Sequence, residues 1–185
     1  MDELRKRKSI RLKNANYSDV GTYFITICTK DRKCILSQII NPTDVPQKPQ
    51  NIGVDVPGDP YTKLLPYGKI ADKYINQLND FYTNISVESY VIMPNHIHFI
   101  LFISESECGP SGTPVPTVVQ NSTVSRFVST FKRFCNKEYG QNIWQSRSYD
   151  HIIRNRQDYE EHLKYIYDNP MKWYFDELYS DDERL

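Results

Sequence analysis

Ser89-Tyr90-Val91-Ile92-Met93-Pro94-Asn95-His96-Ile97-His98-Phe99-Ile100-Leu101-Phe102-Ile103 is the stretch on which the fold turns. Its β-branched and aromatic content suits strands, and a proline would interrupt a central ladder, so it reads as two strands joined at Met93-Pro94-Asn95. Residues two apart on a strand project from one face. His96 and His98 can therefore reach a single metal ion while Ile97 points into the core. The competing reading is a pair of structural or merely exposed histidines.

Working outward, Tyr23-Phe24-Ile25-Thr26-Ile27-Cys28-Thr29 has the composition of a buried strand. Ile70, Tyr74, Leu78 and Phe81 recur at the spacing of one helical face, which predicts a helix over 67–82. Val124, Phe127, Val128, Phe131 and Cys135 mark a second helix, whose other face carries Arg126, Lys132, Arg133 and Lys137. Trp144 to Ile153 reads as a strand or extended segment. It leads to a last helix capped by Asn155 with Asp158 three residues on, striped by Tyr159, His162, Leu163, Ile166 and Tyr167, and expected to end at Asn169-Pro170. Two proline- and glycine-rich stretches, about 37–63 and 104–121, read as loop insertions.

The length of 185 residues, with 39% apolar and 13% aromatic residues, suits one globular domain. No run approaches the roughly 20 apolar residues that span a bilayer, and the basic start lacks the apolar core of a secretory signal. The expectation is a soluble cytoplasmic protein with no membrane partner. Its four cysteines show no Cys-x-x-Cys pairing and are expected to be reduced. The net charge of zero hides a segregation: residues 1–36 hold nine Lys/Arg against four Asp/Glu, and 122–156 hold seven against two. The intervening and terminal blocks are acidic. Local positive fields of this kind suit nucleic acid, although solvated surfaces also fluctuate in charge.

Four blocks in order extend the picture. Met93-Pro94-Asn95-His96-Ile97-His98-Phe99-Ile100-Leu101 resembles the His-hydrophobic-His (HUH) strand of the REP-associated tyrosine transposases. Arg7 to Leu12 followed by Tyr23 to Thr29 resembles that family's N-terminal arm and first strand, and Ser129-Thr130-Phe131-Lys132 its mid-chain helix. Ile143-Trp144-Gln145, Tyr149 to Asn155 and Tyr165-Ile166-Tyr167-Asp168-Asn169-Pro170 resemble its C-terminal signature.

The resemblance implies an α+β, ferredoxin-like antiparallel sheet with helices packed on one face. That single domain would span 1–175, with an acidic tail over 176–185. It further implies a DNA transposase that cleaves and rejoins single-stranded or hairpin DNA, acting as a monomer or homodimer and associating with the nucleoid. A divalent cation on His96 and His98 would polarise a phosphodiester while a tyrosine attacks phosphorus, leaving a 5′-phosphotyrosine and a free 3′-hydroxyl.

In the family pattern a tyrosine lies four residues after the tryptophan of the Trp-Gln block. Ser148 stands there in this chain, with Tyr149 immediately after it, and Tyr149 is the expected nucleophile. His151 would share a face with Tyr149 on an extended segment, either as a third metal ligand or as an orienting hydrogen-bond partner. Mg²⁺ or Mn²⁺ would suit histidine and oxygen ligands beside a phosphate, while two imidazoles on affinity alone favour Zn²⁺. DNA contacts are expected from Arg5, Lys6, Arg7 and Lys8 in the arm, Arg126, Lys132 and Arg133 on the basic helix, and Arg147 and Arg154 near the tyrosine. The alternatives are a catalytically inactive protein that binds DNA or RNA hairpins, and a phosphodiesterase in which water replaces the tyrosine.

Overall fold

The structure, a computed structural model, describes residues 20–41, 60–105 and 123–180, except for the side chains of 79–81. The Phe81 side chain and the basic arm Arg5–Lys8 thus lie outside what is described, as does most of both insertions. Strands β1 (Gly21–Cys28), β2 (Ser37–Ile40) and β3 (Tyr61–Leu64) precede helix α1 (Pro66–Phe81). Strands β4 (Ile85–Ile92) and β5 (His96–Ile103), helix α2 (Thr123–Tyr139), strand β6 (Tyr149–Ile153) and helix α3 (Arg156–Lys172) follow.

The main sheet has the order β4-β5-β1-β6, and each neighbouring pair is antiparallel. Taken as β1-α1-β4-β5-α2-β6, this is the double βαβ arrangement of the ferredoxin-like fold, as expected. No helix among the described residues is long and apolar enough to cross a membrane.

Strand alternation divides the molecule into two layers of contact. Tyr23, Ile25 and Ile27 of β1 and Ile97, Phe99, Leu101 and Ile103 of β5 face α1 and α2, where Ala71, Ile75 and Leu78 meet Phe127, Val128 and Phe131. Burying each large apolar side chain there contributes about 1.5–3 kcal/mol before conformational entropy is subtracted. The opposite face of the same strands is covered by α3, whose Ile166, Tyr159 and Leu163 pack on Phe24, Ile100 and Ile153. The two crossover helices share one face as expected, and the third adds a layer on the other side. That second layer holds the histidine pair.

Three local expectations change. The ends of the first insertion pair as a ribbon, Ser37 with Leu64 through Ile40 with Tyr61. Four-residue strands are too short to show a period in sequence. Helix α3 runs through Pro170 to Lys172. Proline there forfeits the N–H bond to the Ile166 carbonyl and crowds that carbonyl, and the α-helix gives way two residues later to a 3-10 turn at Trp173–Phe175. The expected tail begins instead as a folded strap: the Leu178 carbonyl accepts from Asn95 Nδ2 at 2.8 Å, and Ser180 Oγ donates to the Arg32 carbonyl at 2.9 Å.

Gly68 shows how tightly β2 and α1 are joined. A Cβ there would lie 1.9 Å from the Leu36 carbonyl oxygen. In an open helix Gly→Ala gains about 1 kcal/mol. Here the obstacle is backbone, so Gly68→Ala is expected to destabilise the fold by on the order of 3 kcal/mol. A urea melt of the variant measures this, and equal or higher stability would contradict the packing.

Candidate functional site

Register places the two histidines. Cys28 pairs with His96 and Thr26 with His98, so all four side chains lie on the α3 side of the sheet. Both histidines are buried, and their rings meet edge to face at 4.5 Å. Asn95 orients the first. Its Nδ2 donates to the carbonyls of Leu178 at 2.8 Å and Arg32 at 3.3 Å, which turns Oδ1 toward His96 Nδ1 at 2.8 Å. An amide oxygen needs a donor, so His96 carries its proton on Nδ1 and presents a bare Nε2. His98 Nδ1 is held by Thr26 Oγ1 at 2.8 Å.

His96 Nε2 and His98 Nε2 are buried without a hydrogen-bond partner, and so is Asn169 Oδ1 on α3. Native structures rarely leave such atoms unsatisfied, and each costs about 1–3 kcal/mol if nothing binds it. The Asp176 carboxylate, just beyond α3, lies with the two histidines in a group whose ligand atoms are all within 4.8 Å of one another. Two imidazole nitrogens, a carboxylate and an amide oxygen fit a divalent cation. Burial lowers the His96 pKa to about 4, partly opposed by the Asp176 charge and Asn169. Burial also drives His98 well below its ordinary value, and its neighbour His96 adds to this. Both rings are held neutral, the form that ligates.

Beside this group opens a groove of about 690 Å³ lined by His98, Tyr149, Tyr165, Arg32, Arg147 and Asp176, among others. Two tyrosines therefore face it. Tyr149 stands at the start of β6 opposite Thr26 and is 45% exposed. Tyr165 rises from α3, its ring edge-on to His98 at 5.1 Å and its hydroxyl donating to Asp176 Oδ2 at 3.3 Å. Burial, followed by the Asp176 charge, pushes its phenol up to about 12. Tyr165 and Asn169, four apart, lie on one helical face. Sequence reasoning took that block as a family signature and a helix end without assigning Tyr165 or Asn169 to the site, so the i, i+4 spacing was the missed signal.

His151 does not join the histidine pair. Its Nε2 lies 3.1 Å from both oxygens of Asp158, and its ring stacks on His162 at 4.8 Å, forming a separate group. Phe24 stands between, stacked on His98 at 5.1 Å and tilted against His162 at 4.6 Å.

The basic residues also divide. Arg147 lines the groove, as does Arg32, which sequence reasoning did not single out. Arg32 and Asp31 both adopt left-handed backbone, at φ 55° and 57°. This turn costs about 1–3 kcal/mol per residue and is held by the bonds to the Arg32 carbonyl from Asn95 and Ser180. Arg126 and Arg133 are exposed on α2, across the sheet from the groove. Arg154 is exposed at the turn into α3. Lys132 turns inward: its Nζ donates to the carbonyls of Gln145 at 2.7 Å and Arg147 at 3.2 Å, and burial lowers its pKa to about 8. Its visible contacts brace the groove-side loop.

No protein-family model matches the chain. It is 32% identical over 190 residues to an uncharacterized protein of Haemophilus influenzae, covering 96% of each chain. It is 33% identical over 86 residues to the REP-associated tyrosine transposase of Escherichia coli, covering 46% of this chain and 44% of that one. A solved REP-associated tyrosine transposase bound to a REP hairpin superposes with a TM-score of 0.55 at 21% identity, covering 93% of this chain and 74% of that one. The antiparallel sheet carrying a histidine pair beneath a C-terminal helix is thus a transposase fold. In sequence the chain is similar to the REP-associated tyrosine transposases over part of its length, and in fold it is similar to one of them over 93% of its length.

Proposed function

We propose that this protein cuts and rejoins hairpin or single-stranded DNA through a phosphotyrosine, with Tyr165 and not Tyr149 as the attacking residue. The observation that carries the reading is the pair of unpartnered, buried Nε2 atoms of His96 and His98, set beside a tyrosine that is hydrogen-bonded to Asp176. His96, His98 and Asp176, with Asn169 Oδ1 adjacent, would hold a divalent cation such as Mg²⁺ or Mn²⁺. When bound, the ion supplies Lewis-acid polarisation of a phosphodiester oxygen.

The remaining roles belong to the chain. Asp176 Oδ2 is placed to take the phenolic proton of Tyr165, whose oxygen then attacks phosphorus. A Tyr–O–P bond forms, the P–O3′ bond breaks, and the departing 3′-oxygen takes up a proton. Rejoining reverses these steps without nucleotide hydrolysis, because the phosphoester bond is conserved. Arg32 and Arg147 line the groove where a phosphodiester would lie, and their charges favour it there. The hairpin is the proposed substrate because the solved relative was captured with one.

The test is incubation with 5′- and 3′-labelled hairpin oligonucleotides and Mn²⁺ or Mg²⁺, followed by denaturing electrophoresis. A covalent adduct on the strand bearing the 5′ end of the cut is expected. Tight hairpin binding with no adduct would leave a binding protein without the chemistry, and free ends without an adduct would make water the nucleophile.

A further inference from the structure

His151, Asp158 and His162 form a second group of metal-ligating side chains that the proposed transposition chemistry does not use. Strand β6 supplies His151, and the first two turns of α3 supply Asp158 and His162, four apart on one face. His151 Nε2 is 3.1 Å from both oxygens of Asp158, and His162 Nδ1 is 3.0 Å from Asp158 Oδ1. Two ligands on a tetrahedral ion with bonds of about 2.0–2.1 Å lie about 3.3 Å apart. The observed spacings need only small side-chain movements to become a coordination shell. The group is half-buried, so a further position is open to water.

Without an ion, the two stacked imidazoles both face one carboxylate. His162 Nδ1 already has the Asp158 carbonyl at 2.8 Å, and the Asp158 carboxylate is also served by the Arg154 backbone N–H at 3.0 Å.

We infer that His151 Nε2, the Asp158 carboxylate and His162 Nδ1 form a second metal site, able to take a Zn²⁺-class ion and separated from the His96–His98 pair by Phe24. Two imidazoles and one carboxylate suit Zn²⁺ better than Mg²⁺. Coordination needs a lone pair on His151 Nε2 and on His162 Nδ1, so each ring carries its proton on the far nitrogen and His162 gives up its bond to the Asp158 carbonyl. The ion pins β6 to α3, and His162 precedes Tyr165 by about one turn, so occupancy fixes the helix that carries the tyrosine. This site stands independently of the transposition reading.

Zn²⁺ titration of the full chain by calorimetry tests it, in the wild type, in His96→Ala/His98→Ala and in His151→Ala/His162→Ala, with circular dichroism to verify folding. One equivalent is expected to survive in the first double variant and to be lost from the second. Asp158→Asn, which keeps the shape of the side chain, should weaken that equivalent at least about tenfold. In His96→Ala/His98→Ala, a hundredfold excess of Zn²⁺ over the dissociation constant should raise Tm by about 5–10 °C. No Zn²⁺ binding by a folded His96→Ala/His98→Ala variant, or undiminished binding in His151→Ala/His162→Ala, would overturn the assignment. Because the readout is ion stoichiometry, a failure of DNA cleavage does not bear on it.

Discussion

Tyr165→Phe is expected to eliminate the covalent protein–DNA species, with a loss on the order of 10⁴-fold or more, the scale seen when an enzyme's nucleophile is removed. The substitution deletes the oxygen that hydrogen-bonds Asp176 and leaves the ring against His98 and Phe24, so the fold should hold. Tyr149→Phe should cost only a few-fold. Its hydroxyl belongs to an exposed side chain at the groove edge, and Asp176 bonds to Tyr165 instead. Adduct formation on denaturing gels, compared for the two variants, decides between them. Adduct loss in Tyr149→Phe with retention in Tyr165→Phe would return the role to the tyrosine that the sequence pattern singles out.

His96→Ala and His98→Ala should each lower cleavage by more than about 10²-fold, since loss of even an outer partner of a metal site costs 10- to 100-fold. Hairpin affinity should change little, because Arg32 and Arg147 at the groove are untouched. Parallel cleavage and gel-shift assays read the two effects separately, and equal losses in both would mean that the pair supports structure and not chemistry.

His96 also sets a pH signature for the metal-free protein. Its folded pKa lies near 4 against an ordinary 6.5, so between these values the unfolded chain binds a proton that the folded chain refuses. Stability should therefore fall as pH drops from about 6.5 to 4. The His96→Ala variant should lose that part of the slope.

Several elements were legible because their signals are local. The two strands around Met93-Pro94-Asn95, the face of α2 and the Asn155 cap all appear where periodicity and capping place them. The Asp158 N–H lies 2.9 Å from Asn155 Oδ1. The β2–β3 ribbon was hidden because its strands are short and more than twenty residues apart in the chain. Lys132 looked like a DNA contact on a helical face, and only the position of the 145–147 loop shows that its ammonium is turned to backbone carbonyls.

Sequence by itself determined the α+β class, the strand that bears His96 and His98, and their projection from one face, because a period of two fixes side-chain direction without reference to neighbours. Tertiary structure alone decided what meets those histidines. Packing of α3 across that face brings Tyr165 and Asn169 to the pair, and the strap that follows brings Asp176. The same packing sends His151 to Asp158 and His162. The partners of His96 and His98 lie tens of residues away in the chain, and only the register of the sheet and the seating of a helix on it select which of 14 tyrosines stands beside the histidines.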